Sequence, residues 1–577
     1  MERRIILAIV LMLIVAVLPG ILFPPKRAPG PARPGPADSA AGRAAAPRES
    51  AGAALAPAAA PALGPLSAAA AAPAETIWVT SPLYRLGFST RGGALVHAEL
   101  LGYRSFAAGD SGRPVELVPP GRPLLLYTRA AEGGAGGAGG GGGGDTVSVA
   151  DWRLVPSAAA VRLGPGAADS ATLTFRGARG GARVTLEYRF AAAEYRFAVR
   201  GRFEGFGPGG ATLLLGLGDG LRSVEADSLD DFRHFAVVTK AARTRSTAFQ
   251  SLKPGERQIL DGPFEWAGVK SKYFFAAALA TREDAPRFGG GIVVGGPRTV
   301  TASSLFGRSA VATRAALTLT LPVPPAGDFG FDVYAGPLEY RRLARLGHDL
   351  DDANPYGGVL RPVIQPVSVL VVNVLIWMHD RLRLAYGWVL VIFGVLVRAL
   401  LWPLNQRAME SSLRMQAVAP LIKQTQERYK TDPERLQREM LRIYKEHNVN
   451  PFGGCLPMLL PMPVLFALFF VFANTIEFRG VPFLWLPDLS RADPYYIVPV
   501  VMGISMFVLT KVGQMGVPPN PQAKTMLYFM PAFMTLLFLR FASGLNLYYA
   551  VSNLVSIPQQ YLIAMRRLRE QGKRAAP

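Results

Sequence analysis

Cysteine and histidine are scarce in this sequence, and their scarcity excludes several kinds of site. The chain has one cysteine, Cys455, which excludes an intrachain disulfide and a cysteine-cluster metal site. The five histidines, at positions 97, 234, 348, 379 and 447, show no spacing typical of metal ligands, and no phosphate-binding GxxxxGK(S/T) run occurs. We therefore expect no metal, no cofactor and no enzymatic activity.

Acidic residues are absent from the long apolar segments after position 386, although basic residues are common around them. Half of the 577 residues are apolar, the mean hydropathy is +0.23 and the net charge is +21. This composition is typical of a membrane protein. No zinc-finger spacing or RNP-type stretch points to sequence-specific nucleic-acid binding. We interpret the excess of Lys and Arg first as topology information.

The first 75 residues predict an anchor and a linker. Two arginines precede an apolar run that is long enough to span a bilayer, which predicts an N-terminal transmembrane anchor at 1–23 with a cytoplasmic N-terminus. A cleaved signal peptide is the alternative, because APGPA follows nearby. Residues 24–75 are almost entirely Ala, Pro and Gly, so we expect a disordered linker that cannot bury enough apolar surface to fold.

Residues 76–350 predict an all-β sandwich domain outside the cytoplasm. In RVTLEYRF and EYRFAVRGRF, apolar and polar residues alternate with period two, which indicates two half-buried strands joined by a short connection. Gly and Pro recur between such segments. A helix over 338–350 closes the domain in this interpretation.

Two basic segments determine the expected topology of the rest. Residues 405–449 and the tail 567–577 are rich in Arg and Lys, and both should be cytoplasmic. The apolar stretch 367–378 is short and would span only if residues from Val359 onward are counted. If 359–378 spanned, both basic segments would lie outside, so 351–386 should form an amphipathic interfacial helix. The predicted spans within the core at 387–566 are 387–404, 455–475, 495–512, 523–541 and 544–564. With the anchor, the fold class is a six-helix transmembrane all-α bundle plus an all-β domain.

The cytoplasmic segment 405–449 predicts a helical hairpin. Apolar residues recur every four positions on both arms, so the arms can pack antiparallel. KTDPER supplies the break, since Thr431 and Glu434 have capping-box spacing and Pro433 suits a first helical turn.

Arg398 lies inside the span 387–404 with no intramembrane carboxylate to pair with. An arginine near mid-span costs about 2.5–3.5 kcal/mol on insertion scales. Snorkelling toward the cytoplasm would lower that cost, and so would a water-filled cavity open to the cytoplasm. In the last span a polar stripe runs along one helix face, which favours interhelical hydrogen bonds or a hydrated groove. Its members are Asn546, Tyr549, Asn553, Ser556 and Gln560.

Methionines recur four residues apart in three spans. Flexible thioethers suit a surface that must accept many apolar shapes, although ordinary packing in a bundle gives the same pattern. The residues are Met458 and Met462, then Met502 and Met506, then Met526, Met530 and Met534.

From about 351 to 566 the chain resembles the YidC family of membrane-protein insertases, in its Gram-negative form. The resemblance lies in VRALLWPL, NVNPFGGCLPMLLPMPVLFALFF, LPDLSRADPYYIVPVVMGISMF and SGLNLYYAVSNLVSIPQQYLI. It implies a five-helix insertase core with a cytoplasm-open groove, and a periplasmic super-β-sandwich similar to sugar mutarotases. The essential arginine of the family corresponds to Arg398, its substrate-contacting tyrosines to Tyr548 and Tyr549, and its apolar slide to the methionine pattern.

The same resemblance implies an inner-membrane protein with both termini cytoplasmic, whose partners are nascent membrane proteins, the Sec translocon, the ribosome and lipid. Four positions depart from the family: Gly394 replaces a hydroxyl residue, Pro461 a glutamine, Arg540 an aromatic and Ala542 a proline.

Two other functions are alternatives to insertion. A transporter or channel is the alternative, but coupled transporters carry intramembrane carboxylates and inverted repeats, and neither is evident. An enzyme in the β domain would need an acid/base pair. His97 and His234 are available, but nothing in the sequence places a carboxylate beside them.

Overall fold

The computed structural model describes residues 74–131, 146–206, 209–280, 286–296, 299–304, 307–312, 314–354, 356, 361–430, 432–447, 462–516 and 521–575. The predicted anchor at 1–23 and nearly all of the linker lie outside these residues, as do Cys455, Met458 and Pro461.

The first part of the described chain is built from strands, as the alternating pattern predicts. In chain order they are β1 (Thr76–Thr80), β2 (Tyr84–Ser89), β3 (Leu95–Arg104), β4 (Pro114–Glu116), β5 (Leu126–Ala131), β6 (Thr146–Ser148), β7 (Val155–Pro156), β8 (Ala160–Arg162), β9 (Ser170–Arg179), β10 (Ala182–Ala191), β11 (Arg196–Glu204), β12 (Ala211–Gly216), β13 (Ala236–Lys240), β14 (Thr244–Ala248), β15 (Arg257–Phe264), β16 (Trp266–Lys270), β17 (Phe274–Leu279), β18 (Phe288–Gly295), β19 (Thr299–Ser304), β20 (Gly307–Ala312), β21 (Ala315–Val323) and β22 (Asp328–Pro337).

These strands form three large sheets and one small hairpin. Their orders are β4-β3-β2-β1-β8, β14-β13-β16-β17-β22-β11-β10-β9-β7 and β15-β18-β21-β12-β5-β6, with β19 paired to β20. The predicted hairpin of RVTLEYRF and EYRFAVRGRF is confirmed, since β10 and β11 pair antiparallel with Tyr188 opposite Val199. The apolar residues of β10 are buried at every second position, because alternate side chains of a strand point to one face.

Tyr188 links the three sheets in the centre of the β domain. Its hydroxyl donates to the carbonyl of Gly93 at 2.7 Å and lies 3.0 Å from the hydroxyl of Tyr127. Its ring contacts Phe88 at 4.6 Å between ring centres. Burying a hydroxyl without a partner is costly, and the hydroxyl of Tyr188 has two partners.

Helices dominate the second part of the chain. They are α1 (Ser228–Arg233) and α2 (Tyr340–Leu346) at the β domain, then α3 (Arg361–Leu382), α4 (Tyr386–Arg428), α5 (Pro433–Glu446), α6 (Met462–Asn474), α7 (Ile497–Gly513), α8 (Pro521–Phe538) and α9 (Ser543–Ala575). The closing helix expected over 338–350 is shorter, and a 3₁₀ turn at Leu350–Ala353 follows it.

Three helix boundaries differ from the predicted ones. The interfacial segment contains a helix of 22 residues, α3, in place of the 12 apolar residues that hydropathy marks. Helix α4 continues for 43 residues from the predicted span into the first arm of the hairpin. The cap of α5 is Asp432, whose carboxylate accepts the amide of Arg435 at 3.0 Å, and not Thr431. Hydropathy marks where a segment stops being apolar, which is not where its helix stops.

Six of the described helices pack around an apolar core. Helix α9 packs against α7 and α4, α3 packs against α6, and α8 packs against α7. Among the described residues, Arg361–Leu382 and Tyr386–Pro403 are long and apolar enough to cross a membrane, and Ile497–Gly513 and Leu527–Phe538 are shorter apolar helices. The interfacial position of α3 stays a prediction, because its length and composition also suit a span.

Candidate functional site

Arg398 lies on α4 and faces the first turns of α9. Its guanidinium is within electrostatic range of the hydroxyl groups of Tyr548 and Tyr549. The side chain is half-buried, and its neighbours Leu396 and Leu400 on α4 are exposed at 54% and 77%. Within the described residues it makes neither a hydrogen bond nor an ion pair. A guanidinium presents five donors, so these donors need partners from water or from a bound molecule.

The two tyrosines sit in an aromatic cluster that fixes their rings. Tyr548 contacts Phe393 of α4 at 6.1 Å between ring centres, and Tyr549 contacts Phe538 at the end of α8 at 5.2 Å. The rings of the two tyrosines are 6.0 Å apart. The structure thus brings together the arginine and both tyrosines, which the sequence separates by 150 positions or so.

The polar stripe of α9 faces α7 and the end of α8. Asn546 is fully buried and donates to the carbonyl of Phe538 at 3.0 Å, while its own Oδ1 accepts no hydrogen bond within the described part of the chain. Asn553 donates to Oγ of Ser505 on α7 at 3.2 Å, and Ser556 donates to the carbonyl of Ser552 at 2.7 Å. Part of the stripe therefore joins helices, which was one of the two interpretations left open.

A second polar face of α9 was missed in the sequence. Ser552 and Gln559 are seven residues apart and share the side on which Tyr548 lies, because seven residues make nearly two helical turns. Gln559 is buried and donates to the carbonyl of Trp402 on α4 at 3.2 Å. The seven-residue spacing of Ser552 and Gln559 is the only sequence pattern that indicates this face, and two residues are too few to distinguish it from a chance spacing.

Comparisons with known proteins agree on both halves of the chain. Residues 377–571 match the family described as 60Kd inner membrane protein, and residues 76–369 match the family described as YidC periplasmic domain. A membrane protein insertase YidC of Anaeromyxobacter dehalogenans (strain 2CP-C) is 33% identical over 517 residues, which cover 88% of this chain and 87% of that relative. Another, of Anaeromyxobacter sp. (strain Fw109-5), is 31% identical and covers 86% of each chain.

The chain belongs to the YidC family of membrane protein insertases. It is therefore an inner-membrane insertase, as the motifs around Arg398 and along α9 predicted, and its β-sandwich domain is the part that matches the YidC periplasmic domain. A crystal structure of an active YidC insertase with its first transmembrane domain resolved is 18% identical, covers 84% of this chain and 92% of that one, and has a TM-score of 0.33. That score is too low for comparing individual positions.

Gly394, which departs from the YidC pattern, lies where α4 and α9 approach closely. A Cβ atom at this position would be 3.2 Å from Cγ1 of Val551 and 3.5 Å from Cδ2 of Tyr548. The contact with Val551 is tight, so a side chain at this position would require Val551 to shift by a few tenths of an ångström. Gly394 therefore lies where α4 meets the turn of α9 that follows the two tyrosines.

The described residues include only part of the methionine pattern. Met530 and Met534 on α8 are half-buried, and exposed aromatic residues such as Phe529 and Phe533 lie beside them. Met502 on α7 is buried and packs within the bundle. The side chains of Met458, Met462 and Met526 lie outside the described residues.

At the end of the bundle where α4 and α9 begin, Arg479 joins the helical core to the β domain. Its Nε donates to Glu225 of the β domain at 2.7 Å, and both side chains are nearly inaccessible. The guanidinium also lies 4.3 Å from the ring centre of Phe106 and 5.4 Å from that of Phe274. Burial raises the pKa of Glu225 above its ordinary value, and the opposing effect of the Arg479 charge is smaller.

His97 lies beside a carboxylate, contrary to the interpretation of the sequence. Its Nδ1 is 3.0 Å from Oε2 of Glu116, and its ring stacks on Trp78. The other oxygen of Glu116 accepts the amides of Ala98 and Val118, so this carboxylate fastens β3 to β4. His234 instead contacts a backbone carbonyl, that of Asp230. No cluster of metal ligands occurs in the described ranges.

Proposed function

We propose that Arg398, Tyr548 and Tyr549 receive the polar part of a nascent membrane protein while its apolar segment moves into lipid. One observation carries the proposal: a charged guanidinium lies near two tyrosine hydroxyl groups and makes no hydrogen bond or ion pair within the described residues. A polar segment that crosses hydrocarbon loses several kcal/mol of hydration for each unpaired group. A hydrated groove beside Arg398 shortens that crossing.

Buried amides and hydroxyls form the wall of the proposed groove. The Oδ1 of Asn546 is buried without a partner in the described chain, whereas Asn553 and Ser556 hold hydrogen bonds within the bundle. We assign Asn546 to contacts with water or substrate, and Asn553 and Ser556 to holding the wall in place. The apolar slide would comprise Met458, Met462, Met526, Met530 and Met534.

We further propose six transmembrane helices, with both termini in the cytoplasm and the β domain in the periplasm. The exposed apolar residues Ile504 of α7, Leu536 of α8 and Leu554 of α9 support the lipid contact of these helices. The exposed arginines of α5 at the opposite end support a cytoplasmic hairpin. The hairpin would receive ribosomes and nascent chains, and the β domain would contact the Sec translocon.

Substitution of Arg398 tests the proposed groove. In cells depleted of their own insertase, Arg398→Ala should lower insertion of a small single-span protein about tenfold or more, since a hydrogen bond to a charged group contributes about 1.5–3 kcal/mol. Arg398→Lys should retain part of the activity, because it keeps the charge without the planar fork. The matched control Arg381→Ala removes an exposed arginine from the end of α3 and should insert normally.

Labelling with a water-soluble maleimide separates a wet groove from a dry bundle. In a Cys455→Ser background, Tyr549→Cys should be labelled from the cytoplasm, whereas Leu554→Cys on the exposed apolar side of α9 should not. Full insertion by Arg398→Ala, or equal protection of both cysteines, would contradict the proposed groove.

A further inference from the structure

A cavity lies between the β domain and the outer end of the helical core, apart from the groove around Arg398. Its volume is about 850 Å³, and its walls come from both parts of the chain. Lys270 and Lys272 line it from the β domain, and Arg491, Arg540 and the ring of Phe541 line it from the core.

Three of the cations in this cavity have no carboxylate partner within the described residues. Lys270 is almost completely buried, and its ammonium donates to Oδ1 of Asn354 at 2.6 Å. Burial lowers the pKa of Lys270 to about 8. Arg491 and Arg540 are exposed and make no ion pair in the described chain. A buried ammonium without a counterion is costly, so a bound anion would stabilise this arrangement.

The carboxylates of the cavity are already engaged. Asp230 binds Lys272 at 2.8 Å, and Glu225 binds Arg479. Asp227 caps α1 by accepting the amides of Leu229 and Asp230. Lys270, Arg491 and Arg540 outnumber Asp227, whose described partners are backbone amides, so the net charge of the groups without an ion pair is positive.

Part of the cavity lining is apolar and lies at the ends of the predicted spans. Phe469 and Phe470 belong to the last turns of α6, and Phe541 lies between the end of α8 and the start of α9. The rings of Phe469 and Phe541 meet edge to face at 5.4 Å. In the topology proposed above, these helix ends reach the periplasmic headgroup region, where an acyl chain and a phosphate are both at hand.

We propose that this cavity binds the headgroup of an anionic phospholipid, with its phosphate near Lys270, Arg491 and Arg540 and its acyl chains along Phe469, Phe470 and Phe541. Such a lipid would fill the space between the β domain and the core and neutralise the buried ammonium. It would thereby couple the position of the β domain to the composition of the outer leaflet. The inference depends on the proposed topology and not on the role of Arg398.

Lipid titrations of the delipidated full-length protein in detergent, read by native mass spectrometry, test the site. Dioleoyl phosphatidylglycerol should bind at least about tenfold more tightly than dioleoyl phosphatidylcholine, and Arg491→Gln and Arg540→Gln should each weaken only the former, by about tenfold. Arg381→Gln, the matched control outside the cavity, should bind as the unchanged protein does. Glycerol phosphate, which has the headgroup without chains, should not displace the lipid.

Crosslinking with a photoreactive phosphatidylglycerol locates the bound lipid without relying on the substitutions. It should crosslink to peptides containing Phe469 or Phe541, and it should do so in Arg398→Ala as well. Equal affinity for both lipids, no effect of either arginine substitution, or displacement by glycerol phosphate alone would overturn the proposal.

Discussion

The ion pair between Arg479 and Glu225 should hold the β domain on the helical core, and Glu225→Gln tests this directly. The guanidinium is 2% exposed, so the substitution leaves a positive charge buried without its counter-charge. Removing one partner of a buried pair costs about 3–5 kcal/mol. The glutamine Oε1 still accepts one hydrogen bond, which returns about 1 kcal/mol. We therefore expect a loss of about 2–4 kcal/mol in docking stability.

Hydrogen exchange of the segment 475–496 in the full-length protein measures this loss. If the segment opens when the domains separate, a change of 2–4 kcal/mol corresponds to about thirtyfold to nearly a thousandfold faster exchange. The matched control is Asp328→Asn, which breaks the exposed pair of Arg202 and Asp328 within the β domain and should leave exchange of this segment unchanged, because solvent screens exposed ion pairs. Exchange in Glu225→Gln no faster than in the control would refute the role assigned to the pair.

The double variant Glu225→Gln/Arg479→Met distinguishes the charge from the packing. Methionine fills the space among Phe106, Tyr273 and Phe274 without a charge, so the double variant should be more stable than Glu225→Gln alone. Additive losses would mean that the two side chains act independently.

Two further substitutions test the packing of the core and the titration of the β domain. Gly503→Ala should lower the free energy of unfolding by about 1–3 kcal/mol, because its Cβ would lie 1.8 Å from Oγ1 of Thr535. Thermal unfolding of the detergent-solubilised protein measures this loss. The control is Gly513→Ala, whose Cβ would have an ordinary contact of 3.5 Å with Gln560. Burial raises the pKa of Asp231 from 3.8 to about 7. The unfolded chain therefore releases this proton at lower pH than the folded protein does, and the free energy of unfolding falls by at most about 4 kcal/mol as pH rises from about 4 to 7. Asp231→Asn should therefore flatten the pH dependence of tryptophan-detected unfolding over that range, and an unchanged slope would refute the assignment.

The sequence predicted those parts of the fold that depend on local periodicity. Alternation in β10 and β11 gives their pairing, and the absence of acidic residues in the spans singles out Arg398. Neither pattern carries information about contacts between distant elements. Arg479 and Glu225 are 254 positions apart, and each alone resembles an ordinary surface charge.

The helix lengths show the same limit in a different way. Hydropathy ends the predicted span at 404, but the following residues are good helix formers, so α4 continues to Arg428. Hydropathy marks an apolar stretch only from 367, but proline is tolerated in a first helical turn, so α3 begins at Arg361 and includes Pro362. Helix ends are therefore set by capping and propensity, whereas spans are set by transfer into lipid.

The two polar faces of α9 hold the neighbouring helices in place, which leaves Arg398 as the group that we propose contacts the substrate. Asn553 bonds to α7 through Ser505, and Gln559 bonds to α4 through Trp402, so both helices are tied to α9 without using the arginine. Gly394 permits this close approach, since a side chain there would meet Val551 and Tyr548. A charge that packing does not require, beside hydroxyls that packing has brought to it, is retained at a cost of about 2.5–3.5 kcal/mol in lipid. In the proposed mechanism the water of the groove lowers that cost, and the hydrated guanidinium then receives the polar segment of a passing peptide.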